Sequence, residues 1–265
     1  MTSVSQGSIK QIAMHAPVTP PPIDPDMLLL AYRSGIFPMA DARDDTEVFW
    51  VEPRRRAVLP LDGFHCSHSL AKVLRRGTFQ VTCNAAFDQV IRECAGPRSD
   101  SGGTWISDRI ERTYLDLHHL GQAHSIECWH GEALVGGLYG VGFDRVFCGE
   151  SMFSRTADAS KVALAWLVTA LRCAGAEVLD CQFMTDHLAS LGAVEINQAE
   201  YLKRLRMAQR GAVSAAGGDC LGWGATDGAE LALPEGFAAL LADAAGAGLS
   251  SSPGNFIAQS FTQTS

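Results

Sequence analysis

Apolar and polar residues repeat with two different periods along this chain, and the change between them predicts an order of helices and strands. Helical spacing predicts helices at 26–35, 69–76, 85–95, 107–120, 157–173, 186–191 and 198–207. Short apolar or alternating runs predict strands at 48–50, 57–60, 78–83, 143–149, 176–183 and 193–196, and a hairpin over 124–141. Helices mixed with antiparallel hairpins are typical of an α+β fold.

The two ends of the chain lack these patterns. Residues 1–23 contain prolines at 17 and 20–22 and no signal-peptide core, so we expect a flexible arm. Residues 211–265 are rich in Gly, Ala and Ser, which predicts a loosely ordered tail apart from a short helix near 235–245. This tail is acidic, because no Lys or Arg follows Arg210.

Composition excludes several classes of protein. Hydrophobic residues make up 47% of the 265 residues and charged residues 19%, which is ordinary for a globular protein. No apolar run approaches the ~18 residues that span a bilayer, so we expect a cytoplasmic protein without membrane contact. The eight cysteines form no C-x-x-C pair, which predicts reduced thiols and no structural zinc.

The net charge of −8 argues against nucleic-acid binding, but its distribution is uneven. Between residues 54 and 76, the acidic residue Asp62 is opposed by six cationic residues: Arg54, Arg55, Arg56, Lys72, Arg75 and Arg76. A basic patch of this kind can bind phosphates on an otherwise acidic protein. A solvated surface face without a ligand is the alternative interpretation.

Common catalytic motifs are absent from the sequence. There is no G-x-x-x-x-G-K-[ST], no G-x-G-x-x-G after a strand and no H-E-x-x-H. Ser151 lies in G-E-S-M-F, which lacks the second glycine of a nucleophile elbow. We therefore interpret Ser151 as a helix cap or as a hydrogen-bonding group in a pocket.

Polar residues interrupt two apolar strands. Glu150 follows strand 143–149, and Asp180 and Gln182 lie two residues apart on strand 176–183, so their side chains share a face. Buried without partners, such groups cost ~1–3 kcal/mol each. They indicate either a structural hydrogen-bond pair or the polar floor of a pocket. Asp186 is predicted to cap the helix that follows.

Together these segments resemble the leucyl/phenylalanyl-tRNA–protein transferases. The resemblance covers roughly residues 24–206, and its longest motifs are FCGESMFSR (147–155) and LDCQFMTDHLASLGA (179–193). Shorter matching segments are LLLAYRSGIFPM (28–39), FWVEPRRRAVLPL (49–61), FHCSHSLAKVLRR (64–76), GTWIS (103–107), LGQAHSIECW (120–129), LVGGLYGV (134–141) and ASK (159–161).

The resemblance implies a function and a domain layout. Such enzymes move Leu or Phe, sometimes Met, from aminoacyl-tRNA to the α-amine of proteins that begin with Arg or Lys, which marks those proteins for degradation. They need no CoA, ATP or metal. The implied layout is an arm (1–23), a small N-terminal α+β domain (24–62), a GNAT-like acyltransferase domain (63–210) and the acidic tail (211–265), and we expect a monomer.

The resemblance also assigns roles to residues. Gln182 is expected to hydrogen-bond to the reacting ester or amine, with support from Asp180, while Glu150 orients Gln182 or contacts the cationic acceptor. Lys72, Arg75 and Arg76 match the family's contacts to the tRNA acceptor stem. Positions matching the family's substrate-binding residues are Trp50, Trp105 and Tyr114, which can stack on the terminal adenosine, and Leu138, Phe147, Ser151, Met152 and Phe153 around an apolar pocket.

Two positions depart from the family pattern. Val51 follows Trp50 where relatives often have a second tryptophan, and Leu138 stands where Met is also found. The sequence leaves three alternative functions open. They are the same reaction with a different donor or acceptor preference, an acyl-CoA-dependent GNAT transferase, and a non-catalytic tRNA-binding module. The R/Q-x-x-G-x-G/A loop that the second requires is not visible.

Overall fold

A seven-stranded mixed sheet forms the centre of the molecule. The computed structural model describes residues 20–96, 103–210 and 231–262. The strands follow one another across the sheet in the order β4-β5-β6-β7-β8-β3-β9. Their bounds are β3 Arg55–Val58, β4 Gln80–Cys83, β5 Ala123–His130, β6 Ala133–Phe143, β7 Val146–Ser154, β8 Val178–Gln182 and β9 Val194–Asn197.

A separate two-stranded sheet lies near the N-terminus. It pairs β1 (Phe37–Met39) with β2 (Phe49–Val51) in antiparallel register. The helices are α1 Pro25–Arg33, α2 His68–Arg76, α3 Phe87–Cys94, α4 Asp108–His119, α5 Ala159–Cys173, α6 Asp186–Ser190, α7 Gln198–Gln209, α8 Leu233–Gly246 and α9 Pro253–Ser260. The mixture of helices and antiparallel strands confirms the predicted α+β class.

Two hydrophobic clusters cover the two faces of the main sheet. Side chains alternate between faces along a strand, so Phe147 joins one cluster with α5 while its neighbour Cys148 joins the other. The first cluster, which we call the α5 face, also includes residues of α2, α8 and α9. The second, the α1 face, includes residues of α1, α3, α4 and α7. None of the helices in the described ranges has the length and apolar character needed to cross a bilayer.

Strand β3 joins the N-terminal part of the chain to the main sheet. It pairs antiparallel with β8 on one side and with β9 on the other. Its residues 55–58 come from the segment that was predicted as the small N-terminal domain. The two parts of the chain are therefore held together by backbone hydrogen bonds.

The C-terminal part of the chain is more ordered than its composition suggested. Residues 231–262 form α8, which confirms the short helix predicted near 235–245, and also α9, which was not predicted. The two helices pack on α5 and α2. The prediction of a loose tail is therefore wrong for these residues, because alanine and glycine also allow helices to pack closely. Residues 211–230 lie outside the described part of the chain, as do residues 1–19 of the predicted arm.

Serine or threonine side chains cap α2, α4 and α6. The Ser67 and Ser107 hydroxyls accept hydrogen bonds from the backbone near the starts of α2 and α4, as expected of helix caps. In contrast, Thr185, not Asp186, caps α6. Ser151 caps no helix either, because β7 continues to Ser154 and α5 begins only after Asp158.

Candidate active site

The candidate site forms where two parallel strands separate. Among the strands described, β7 and β8 are the one parallel pair, and their register ends at Cys148 opposite Asp180. Beyond this point β7 continues to Ser154 and β8 to Gln182 without pairing to each other. Polar side chains from both strands can therefore reach one another across the opening, away from the continuous ladder.

A β-bulge places Glu150 at this opening. On the neighbouring strand β6, Tyr139 pairs with Ser151 and Gly140 pairs with Gly149, which leaves Glu150 as an extra residue. Bulges re-aim side chains and are frequent next to active sites. Gly140 is required here, because a Cβ atom at this position would lie 2.2 Å from the Cys148 carbonyl oxygen. The sequence pattern did not indicate this irregularity.

Gln182 ends β8 in an unusual backbone conformation. Its φ of +63° lies in the left-handed region, which costs a residue with a side chain ~1–3 kcal/mol. The Gln182 backbone N–H donates to Asp180 Oδ1 at 2.8 Å, and the side-chain Nε2 donates to Glu150 Oε2 at 2.9 Å. The surrounding structure thus holds a strained residue with its amide directed at Glu150.

Glu150 is buried, and no cation is among its described hydrogen-bond partners. Its Oε2 accepts from the Tyr114 hydroxyl at 3.0 Å as well as from Gln182, and the Tyr32 hydroxyl bonds to that of Tyr114. The other oxygen, Oε1, is buried and has no partner among the described residues. Burial raises the pKa of Glu150 to about 7, although the Tyr32, Gln182 and Tyr114 groups oppose the shift.

Asp180 lies on the same side of the sheet in a different environment. Arg56 donates to both of its oxygens, from Nε at 2.9 and 3.0 Å and from Nη2 at 2.6 Å. The Tyr201 hydroxyl at 2.9 Å, the Cys148 thiol at 3.6 Å and the Gln182 N–H complete the set. Because both oxygens are already bonded, Asp180 is suited to hold Gln182 in place and not to bind a substrate.

Arg56 is the residue of this network that sequence reasoning missed. It was predicted to lie in the basic patch, which is wrong: its side chain is buried, between the rings of Phe37 and Tyr201. Burial works against its charge, yet the carboxylate of Asp180 outweighs burial and raises the pKa of Arg56 above its usual value. The available signal was its position at the start of the apolar run AVLPL.

The other cations of the predicted patch differ in whether they form ion pairs. Arg55 forms an exposed ion pair with Glu195, so it is also unavailable as a free cation. By contrast, Lys72, Arg75 and Arg76 lie exposed on α2, and none of them forms an ion pair with a described residue. Arg54 is exposed as well, so the part of the predicted patch that stays available consists of Arg54 and these three residues of α2.

The three predicted stacking aromatics lie in different settings. Trp50 is 42% exposed on β2, and Trp105 is half-buried at the edge of the α1 face. Tyr114 is completely buried with its hydroxyl on Glu150, so its ring offers no open face to a base. Phe183, which the sequence did not single out, is 45% exposed beside Gln182, with its ring edge-on to Phe37.

The predicted pocket residues lie on both faces of the sheet. Leu138 and Phe147 are buried on the α5 face, and half-buried Met152 packs against the same cluster. Phe153 packs on the α1 face. Ser151 is half-buried in β7, opposite Tyr139. The structure therefore brings together Glu150, Asp180 and Gln182, while the apolar set forms core around the same strands.

Comparison with protein families accounts for most of the chain. Residues 58–206 match the model of the leucyl/phenylalanyl-tRNA protein transferase family, and residues 22–54 match the model of its N-terminal domain. The chain belongs to the leucyl/phenylalanyl-tRNA–protein transferase family. This confirms the resemblance that the motifs suggested.

Curated leucyl/phenylalanyl-tRNA–protein transferases resemble the chain closely. The protein of Novosphingobium aromaticivorans is 63% identical over 94% of this chain and 99% of its own length. Those of Zymomonas mobilis and Rhizorhabdus wittichii are both 56% identical, over 70% and 74% of this chain and 69% and 78% of their own lengths. The transferase family models end at residue 206, so α8 and α9 lie outside them.

Proposed function

We propose that this protein transfers Leu or Phe, and also Met, from aminoacyl-tRNA to the α-amine of proteins that begin with Arg or Lys, and so marks them for degradation. Family membership supports the transfer reaction. The observation that carries the proposal is the pair of Glu150 and Gln182 at the opening between β7 and β8. There, a carboxylate with a raised pKa keeps one oxygen without a described partner.

The reaction needs little more than orientation and one proton acceptor. The amine nitrogen of the acceptor attacks the ester carbon, an amide bond forms, and the C–O bond to the terminal ribose breaks. The α-amine has a pKa of ~7.7–8.0, so on the order of a tenth is neutral at pH 7. Glu150 can accept the proton that the nitrogen loses and return it to the leaving ribose oxygen, because its pKa of about 7 suits both steps.

Gln182 is placed to orient the reacting groups. One N–H of its amide is used by Glu150, which leaves the second N–H and the carbonyl oxygen for substrate. The N–H can donate to the ester carbonyl oxygen while the amide oxygen accepts from the amine. Holding both reactants in attack geometry can account for up to ~7–11 kcal/mol of the barrier.

The transferred side chain requires an apolar pocket near the opening. Phe183 follows Gln182 directly and Met152 lies two residues after Glu150 on β7, and both are partly exposed, so they are candidates to contact it. Leu138 and Phe147 belong to the buried cluster on which Met152 packs. Trp50 is exposed and Trp105 half-buried, which suits aromatic rings that stack on the terminal adenosine.

The exposed cations of α2 suit the acceptor stem of the tRNA. Binding to phosphates is largely independent of sequence and weakens with salt, and the slope of this dependence falls by about one when one phosphate is no longer bound. Lys72→Ala and Arg76→Ala should therefore raise the KM for aminoacyl-tRNA and flatten its salt dependence. Lys203→Ala, an exposed lysine of α7, is the matched control and should leave both unchanged.

The proposal extends to the cellular setting and layout of the protein. We infer that it acts in the cytoplasm, where aminoacyl-tRNA is made, as a monomer without a cofactor. We also propose the domain layout of an N-terminal unit at 24–62 and a GNAT-like catalytic unit at 63–210.

The decisive experiment measures transfer from labelled Leu-, Phe-, Met- and Asp-tRNA to peptides that begin with Arg, Lys, Asp or Ala, without CoA or ATP. We expect transfer of Leu, Phe and Met to the Arg and Lys peptides. A different pattern of transfer would identify another donor or acceptor preference. Activity only with acyl-CoA, or tRNA binding without transfer, would reject the proposal in favour of a GNAT enzyme or a binding module.

A further inference from the structure

The C-terminal helices contact the inner side of the basic helix. In α9, Gly254 approaches α2 so closely that a Cβ atom would lie 2.3 Å from the Leu74 carbonyl oxygen. Further along, the ring of Phe261 packs on that of Phe64, with centroids 4.7 Å apart, and Arg172 of α5 lies over the same ring. The backbone of α2 is therefore in direct van der Waals contact with α9.

The outer side of α2 has no comparable support among the described residues. Its buried face consists of Leu70, Ala71 and Leu74, and the opposite side carries the three exposed cations. A half-open pocket of about 280 Å³ adjoins the C-terminal end of α2 and is lined by Val73, by Trp166 of α5 and by Gly254 of α9. At this end, α9 forms one wall of the pocket through Pro253 and Gly254 and contacts the backbone of α2 directly.

We propose that residues 231–262 are a positioning element that fixes the orientation of α2 for docking of the tRNA acceptor stem. This inference rests on the proposed function. The helix pair carries no positive side chain of its own, since no Lys or Arg follows Arg210, so it acts through packing and not by binding phosphate. It lies beyond the end of the family model at residue 206.

If residues 231–262 position α2, displacing them should affect only substrates that contact α2. Full-length aminoacyl-tRNA contacts both the site at the strand opening and the cations of α2. A short donor, phenylalanyl-adenosine, carries the same ester but has no acceptor stem. Displacing α9 should therefore weaken use of the tRNA and leave the use of the short donor unchanged.

The test compares two glycine substitutions within the same helix pair. Gly254→Ala forces α9 away from Leu74, whereas at Gly246, the last residue of α8, a Cβ atom would meet nothing within 4 Å. Both changes add one methyl group to a helix. We expect Gly254→Ala to raise the KM for Phe-tRNA about fivefold to tenfold with kcat unchanged, and Gly246→Ala to behave as wild type. Neither should alter the KM for phenylalanyl-adenosine.

A second variant keeps the test informative if Gly254→Ala is accommodated without movement of α9 or fails to fold. Phe261→Ala removes the ring contact with Phe64 at the other end of α9 and should also raise the KM for Phe-tRNA alone. Unchanged KM values in both variants, or equal increases for the short donor, would overturn the positioning role. If wild-type protein uses neither substrate, the proposed function itself fails, which is a separate result.

Discussion

The two buried carboxylates at the strand opening lie close together in the fold but have opposite surroundings. Asp180 has a buried guanidinium, a tyrosine hydroxyl, a thiol and a backbone N–H, so that both of its oxygens are bonded. Glu150 has hydroxyl and amide partners on one oxygen only, and its pKa is raised to about 7. One region is built to keep its geometry, and the other can exchange a proton.

This contrast indicates that the two carboxylates have different roles in the network. Arg56 fixes Asp180, Asp180 holds the strained backbone of Gln182, and Gln182 directs its amide at Glu150. Substitutions on the Asp180 side should therefore act mainly through stability and geometry. Substitutions on the Glu150 side should act mainly on rate and on its dependence on pH.

Loss of Arg56 should have the largest effect. Arg56→Ala leaves Asp180 buried without its cation, and we expect the free energy of unfolding to fall by about 3–5 kcal/mol in a denaturant titration. Arg56→Met combined with Asp180→Asn removes both charges and should recover part of this loss. A single variant as stable as wild type would contradict the structural role of the pair.

If Glu150 is the proton acceptor, as proposed, its loss should reduce the rate without loss of stability. Glu150→Gln keeps a hydrogen-bond acceptor for Tyr114 and Gln182 but cannot take a proton, so kcat should fall roughly a hundredfold. The melting temperature at pH 8 should not fall, because a buried charge has been removed. Glu132→Gln, at the exposed turn of the β5–β6 hairpin, is the matched control. A wild-type rate in Glu150→Gln would exclude the assignment.

The pH dependence should distinguish the two carboxylates. The kcat should rise through about pH 7 as Glu150 loses its proton. Tyr114→Phe removes a hydrogen bond that favours the charged form, so the pKa rises further and kcat at pH 6.5 should fall about threefold to tenfold. Tyr201→Phe removes the corresponding hydroxyl hydrogen bond to Asp180 and should leave the rise of kcat near pH 7 in place. Identical shifts in both variants would mean that the two regions titrate together.

The same raised pKa has a consequence for stability. A group with a higher pKa in the folded state stabilises the fold at low pH, and this contribution is lost as pH rises through the folded value. For Glu150 the loss should occur between about pH 4.5 and pH 7, and its size should be about 3 kcal/mol. Comparing wild type with Glu150→Gln at the two pH values measures it, and parallel stability curves would refute it.

The smallest effect is expected from Cys148. Its thiol donates a long hydrogen bond to Asp180, and burial raises its pKa well above the usual range, so it is an unreactive donor. Cys148→Ala should lower the free energy of unfolding by about 1 kcal/mol and leave the pH profile of kcat in place. A displaced profile would show that the Asp180 side also governs proton transfer.

The sequence predicted the regular elements better than the irregular ones. The basic helix and the hairpin of β5 and β6 follow from apolar periodicity and turn chemistry, and both are present. The strand at Phe37–Met39 was missed because three residues with a proline give no period. Helix α9 was missed because its Gly and Ser content resembles a loop until its packing partner is known.

In the candidate site, too, the regular features were predicted and the irregular ones were not. Polar residues at the ends of apolar strands singled out Glu150, Asp180 and Gln182, spacing placed the last two on one face, and the resemblance added their roles. Neither the bulge at Glu150 nor the positive φ of Gln182 could be read from the sequence, because glutamine has no preference for that backbone conformation. The ion pair of Asp180 with Arg56 could not be predicted either, because Arg56 lies 124 residues earlier in the chain.

The insertion of β3 between β8 and β9 sets an order of events during synthesis. Arg56 leaves the ribosome well before its partner Asp180, and the two strands that flank β3 are made still later than the hairpin β5–β6. At ~5–20 residues per second, this interval lasts on the order of ten seconds. Before β8 and β9 have been synthesised, β3 therefore lacks both of its pairing partners and Arg56 lacks Asp180, so the candidate site can form only after that point.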